Sequence, residues 1–197
     1  MKPVNAIPEE RILDAAYDLA LSIGTQRMTM ADLARHAGVS RATLYRRWKS
    51  VRDVVAALTT REWTGVVEAA RTSSPTEPLR RHLVASIVRL VGQIRVHPLL
   101  RHIVEQDPDF LLPYLLERRG ANTDQQLDLL ESDLKTGMAD GSVRTGDPAL
   151  RAKAVLLTAW SFTLTAPVLV EAPEGRSPEL DELDAELAEL LDRYLKP

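Results

Sequence analysis

Along nearly all of this 197-residue chain, apolar residues recur three and four positions apart, and no run of β-branched residues alternates with polar ones between turn signals. Such spacing gives each segment one apolar stripe, which only another helix can cover, so the expected fold class is all-α. Hydrophobic residues at 45% and charged residues at 27% are those of a packed globular protein, and the length suits one large domain or a small one joined to a larger one.

Start and stop signals divide the pattern. Ile12, Ala15, Ala16, Leu19 and Ile23 keep to one face of a helix that follows Pro8 and ends at Gly24. Thr29 with Asp32 resembles a capping box, which predicts a short helix through Leu33 and Ala34 to a turn at Gly38, and Ser40 then caps a third helix. Helices are expected over 51–71 and 79–96, with a break at "TSSPTEP" between them and Pro98 ending or bending the second. Asp107-Pro108, Asp147-Pro148 and Ser177-Pro178 each combine a side-chain acceptor with a preset φ and open further helices, while "GMADGSVRTGD" reads as a loop.

Charge is uneven along the chain. Residues 1–53 hold 9 Lys+Arg against 6 Asp+Glu, whereas residues 54–197 hold 16 against 22. Between 25 and 53, Arg27, Arg35, Arg41, Arg46, Arg47, Lys49 and Arg52 face only Asp32 and Asp53, the concentration expected of an end that meets a polyanion. At its centre lies "VSRATLYRRW", residues 39–48. Advancing 100° per residue from Ser40 places Leu44 and Trp48 on one side as the buried face, Ala42 and Arg46 nearly opposite, and Thr43, Tyr45 and Arg47 on the flanks. Arginine can pair bidentately with guanine, an alanine methyl can rest on a thymine methyl, and hydroxyls can bond phosphate oxygens. With the preceding short helix and the "HAGV" turn, this is a helix-turn-helix, and it assigns DNA contact to Thr29, Ser40, Arg41, Ala42, Thr43, Tyr45, Arg46, Arg47 and Lys49.

The stretch "MTMADLARHAGVSRATLYRRWKSVRDVVAAL" resembles the helix-turn-helix of TetR-family transcriptional regulators, with Thr29, Ala34, Gly38, Val39, Ser40, Thr43, Tyr45 and Trp48 at the family's positions. Where the family usually has a phosphate-binding lysine, this chain has Val51, with Lys49 and Arg52 as the nearest substitutes. The resemblance implies a DNA-binding domain, 1–53, and a larger helical domain, 54–197, for effector binding and dimerisation. It implies a homodimeric repressor on a palindromic operator, released by a small-molecule effector.

Beyond the motif, Leu180, Leu183, Leu187, Leu190 and Tyr194 form a narrow apolar seam on a strongly acidic last helix, and the run from Ala154 to Val170 is apolar on nearly all sides. Pairing both helices with their symmetry mates explains both features, although docking onto the chain's own core would give the same seam. Gln93, His97, Phe110, Tyr114 and Trp160 are polar-tipped or aromatic residues on core-like helices and are the candidate effector contacts, with ordinary packing the competing explanation.

Other classes fit less well. His97 and His102 stand about 140° apart on a helix and Pro98 interrupts their register, so the set His82, His97, His102 and Glu105 does not make a metal site, and no phosphate loop or nucleophile motif is present. No enzyme activity, cofactor or metal is expected. An effector-independent architectural DNA-binding protein stays open, and so, as the remotest alternative, does a histidine-based metal protein or enzyme, since His102 and Glu105 can share a face. Absence of cysteine and of an apolar signal core at "MKPVNAIPEE" points to the cytoplasm, and the 154–170 run, interrupted by Pro167, falls short of a membrane span.

Overall fold

The computed structural model describes residues 9–70, 78–117 and 119–197. Among these, eleven helices and no strand are found: α1 Glu9–Ile23, α2 Met30–Ala37, α3 Arg41–Tyr45, α4 Val51–Ala70, α5 Leu79–Val96, α6 Pro98–Gln106, α7 Pro108–Leu116, α8 Ala121–Ala139, α9 Pro148–Leu164, α10 Ala166–Leu169 and α11 Pro178–Leu195. The expected break at 72–78 lies outside the described residues except at Pro78. No single described helix is long and apolar enough to cross a membrane.

Packing divides the chain into two compact units, Met1–Trp63 with Pro98–Arg118, and Thr64–His97 with Arg119–Pro197; α4 runs from the first into the second. In the first unit, Ile12, Leu13, Ala16 and Ala20 of α1 bury with Leu33 of α2, Leu44 of α3, Val54, Val55 and Leu58 of α4, Leu99 and Ile103 of α6, and Phe110 of α7. Arg61 on α4 reaches Asp14 (2.8 Å) and Glu10 (3.2 Å) on α1 and pairs with Glu62. Partial burial opposes its charge, but the hydrogen bonds to Glu62, Asp14 and Glu10 leave its pKa raised. These contacts fix α4 against α1.

The second unit centres on Leu83, Val84, Ile87 and Val91 of α5, Leu134 of α8, Val155 of α9, and Leu187, Leu191 and Leu195 of α11. Buried Arg95 on α5 holds the carboxylate of Asp184 on α11, and Arg80 holds Asp192. Asp147 and Ser177 cap α9 and α11 as their sequences predict, accepting from the N–H groups of Ala149 and Leu150, and of Leu180.

As expected, α5 ends before Pro98 and Pro108 opens a helix; beyond what the sequence marks, Pro98 itself opens α6, α7 stops at Leu116 and α8 starts after Gly120. Three expectations are corrected. Asp107 precedes α7 without capping it; its carboxylate instead accepts from the Thr25 hydroxyl and from Gln26 Nε2 (2.9 Å), tying the segment after α1 to the α6–α7 junction. The loop expected from Gly137 begins later, because Gly137 belongs to α8. A Cβ there would lie 2.5 Å from Val143 Cγ2, so glycine is what lets the returning chain close, with Val143 N–H bonding to the Gly137 carbonyl (2.8 Å). The seam on α11 is also not a free surface. Leu187 is 0% exposed and Leu180 is buried, both inside the chain's own second unit, and of the seam residues only Leu190 stands out in solvent.

Candidate nucleic-acid interface

The α2–α3 corner follows from local hydrogen bonds. Thr29 accepts from the Asp32 N–H (3.1 Å) while Asp32 accepts from the Thr29 N–H (3.2 Å), completing the capping box read from sequence. Asp32 also accepts from the Thr29 hydroxyl at 2.6 Å; this bond is the largest cause of its lowered pKa, and Arg35 at 2.6 Å acts in the same direction. Gly38 ends α2 at φ 65°, a left-handed turn that favours glycine, and Arg11 crowds the space a Cβ would take. Ser40 then caps α3 by accepting from the Thr43 N–H (3.1 Å), and its hydroxyl lies 2.9 Å from that of Thr43.

Only Arg41–Tyr45 is regular helix, shorter than the ten-residue wheel assumed, yet the wheel holds past its end. Arg46 N–H bonds to Ala42 O (3.1 Å) and Trp48 N–H to Leu44 O (2.9 Å), both with helical i to i−4 spacing. Leu44 and Trp48 are buried as that wheel requires. Arg41, Ala42, Tyr45, Arg46, Arg47 and Lys49 are exposed, and Thr43 is half-buried.

The cations differ in freedom. The side chains of Arg41, Arg46 and Lys49 make no ion pair among the described residues. Arg47 pairs with Glu9 of α1 and lies over the Trp48 ring at 5.4 Å, Arg35 pairs with Asp32, and Arg27 donates to the Ile23 carbonyl (2.8 Å). Of the two substitutes for the lysine missing at Val51, Arg52 lies over the Phe110 ring at 5.8 Å, which leaves Lys49 uncommitted. Two features escaped sequence reasoning. Ser50 and Asp53 form a second capping box at the start of α4, with Ser50 N–H to Asp53 at 3.0 Å; the S-x-x-D pattern was there to find. The Glu9–Arg47 pair joins residues 38 apart and leaves no local signal.

The five effector candidates are divided between the two units. Phe110 is core of the first unit, whereas Gln93, His97 and Trp160 belong to the second. Gln93 is exposed, His97 is the half-buried C-cap of α5, and the Tyr114 side chain lies outside what is described. Trp160 on α9 donates its indole N–H to Gln126 Oε1 on α8 (3.3 Å), and Gln126 and Thr123 are both buried. An open groove of about 750 Å³ between α5 and α11 is lined by Arg81, Val84, Val88, Ala188 and Lys196 among others, and none of the five borders it.

A buried anchor beneath an exposed, cationic, correctly capped second helix defines a helix-turn-helix DNA-binding regulator. The family model for "Bacterial regulatory proteins, tetR family" matches residues 12–58. An uncharacterized HTH-type transcriptional regulator of Mycobacterium tuberculosis is 31% identical over 185 residues, 94% of this chain and 93% of that protein. Among solved structures, the transcriptional repressor QsdR of R. erythropolis superposes with a TM-score of 0.67 at 19% identity, covering 96% of each chain. A SmeT–triclosan complex gives 0.62 at 22% identity, over 98% of this chain and 93% of that one. The chain belongs to the TetR family of transcriptional regulators.

Proposed function

We propose that this regulator is a ligand-responsive repressor that binds a palindromic operator as a homodimer. Residues 1–53 supply the DNA contacts and 54–197 the effector and dimer functions, at work in the cytoplasm. The observation that carries the DNA reading is the exposed face of α3, where Arg41, Ala42, Tyr45 and Arg46 stand free above buried Leu44 and Trp48. Arg46, opposite the anchors, is the base-reading residue; Arg41 and Ala42 flank it at the groove. Thr29, Ser40, Thr43, Tyr45 and Lys49 contact phosphate.

Dimerisation is supported by apolar residues the chain itself leaves uncovered. Leu150 and Leu157, seven apart on α9, are 63% and 64% exposed, Val168 and Leu169 of α10 are 73% and 76%, and Leu190 stands out from α11. Apolar exposure gathered on neighbouring helices marks an association surface, and a two-fold pair sets two α3 helices on two half-sites. Effector control is supported by the structural likeness to SmeT, solved with triclosan, and by the polar contact of buried Gln126 with half-buried Trp160 across α8 and α9, polar groups of the kind that orient a bound small molecule among apolar walls. Selection of binding sequences from random duplexes tests the reading: a two-fold symmetric site supports it, and recovery of no preferred sequence would favour an architectural DNA-binding protein.

A further inference from the structure

We infer that Glu9 is a positioning residue that sets how tightly the protein holds any DNA, by keeping Arg47 off the phosphates. This rests on the reading of α3 as the DNA-contacting helix. Arg47 lies in the turn that continues α3, beside the cations Arg41, Arg46 and Lys49, which make no ion pair among the described residues, and on the side from which a helix in the major groove reaches the backbone. Two contacts turn it away: the Glu9 carboxylate from the first turn of α1 and the face of the Trp48 indole at 5.4 Å. Both partners of the ion pair are accessible to solvent, with 53% of the Arg47 and 35% of the Glu9 side chain exposed, so the pair is individually weak. A phosphate would compete for that guanidinium on nearly equal terms were it not for the Glu9 charge, which repels the phosphate from the place where it would bind. Glu9 thus withholds one cation per protomer from the backbone of operator and of every other duplex alike. A regulator that must leave its site on a signal gains from that restraint, since each added phosphate contact slows release from all DNA.

The experiment titrates the selected operator and a scrambled duplex with full-length wild type, Glu9→Gln, Arg47→Ala, the double variant and Arg46→Ala, by fluorescence anisotropy at several salt concentrations. Glu9→Gln is expected to tighten both duplexes about three- to tenfold near 0.1 M salt, leave their affinity ratio unchanged, and steepen the salt slope by about one ion per protomer. Adding Glu9→Gln to Arg47→Ala is expected to change nothing further. Equal tightening in the Arg47→Ala background would overturn the inference, because the effect would then come from charge alone, and so would weaker binding or an unchanged slope in Glu9→Gln. Wild-type binding by Arg46→Ala would overturn the reading of α3 itself and the inference with it; weakened binding there with no effect of Glu9→Gln overturns the inference alone.

Discussion

Trp48 ends the segment proposed to face DNA yet belongs to the core, buried with Leu44 in the cluster to which α1, α2 and α4 also contribute. Trp48→Ala is expected to cost about 3 to 5 kcal/mol, as large-to-small core changes do, and to abolish DNA binding by loosening α3, measured by chemical denaturation alongside anisotropy. Thr29 acts through its neighbour's backbone: Thr29→Ala removes the N-cap of α2 and is expected to cost about 0.5 to 2 kcal/mol. The same residue has a pH signature. Because the Thr29 hydroxyl holds Asp32 below its ordinary pKa in the folded state, the stabilisation is complete above the unfolded carboxylate's range and is lost as pH falls through the folded value. Stability of the wild type should therefore fall more on acidification than that of Thr29→Ala, and equal acid limbs in the two proteins would contradict this role. These contacts could be read from sequence because donor and acceptor lie three residues apart. Asp107 shows the opposite case: its Pro-preceding position suggests a cap, but its partner Thr25 is 82 residues away and no local pattern announces it.

Helices with a side-chain cap and a proline or glycine at the boundary could be placed from sequence, as α2, α9 and α11 show. α6 and α8 could not. α8 follows Gly120 without a side-chain cap, and only His97 separates α5 from α6, so Pro98 marks the break between them but not that a helix resumes there at once. For α11 the sequence gives the stripe but not what covers it. Leu187 and Leu191 recur as a dimer seam would, yet they pack on α5 and α9 of the same chain, because any amphipathic helix must first satisfy its own fold. Leu187→Glu is accordingly expected to unfold the second unit, seen as loss of the cooperative thermal transition, and a folded monomer would contradict this burial. At the α2–α3 turn, Gly38→Ala meets a left-handed φ and the Arg11 guanidinium together and should destabilise by about 1 kcal/mol or more.

For the molecule as a whole, the sequence separates a cationic N-terminal end from an acidic remainder, but packing draws its line elsewhere, taking α6 and α7 into the first unit through contacts of long sequence separation. Assembly is tested where the chain leaves apolar surface uncovered: Leu157→Glu should give folded protein that sediments as a monomer at micromolar concentration and binds operator weakly, while wild type sediments as a dimer. A monomeric wild type would remove that interface. The reading of DNA by α3 is tested most directly by titrating Arg46→Ala and wild type against the selected operator, single-base variants of it and scrambled DNA. Loss of about 1 to 3 kcal/mol confined to one position in each half-site, with affinity for scrambled DNA retained, is the expected result. Equal weakening on every duplex would make Arg46 a phosphate contact and contradict the assignment of base reading to the outward face of α3.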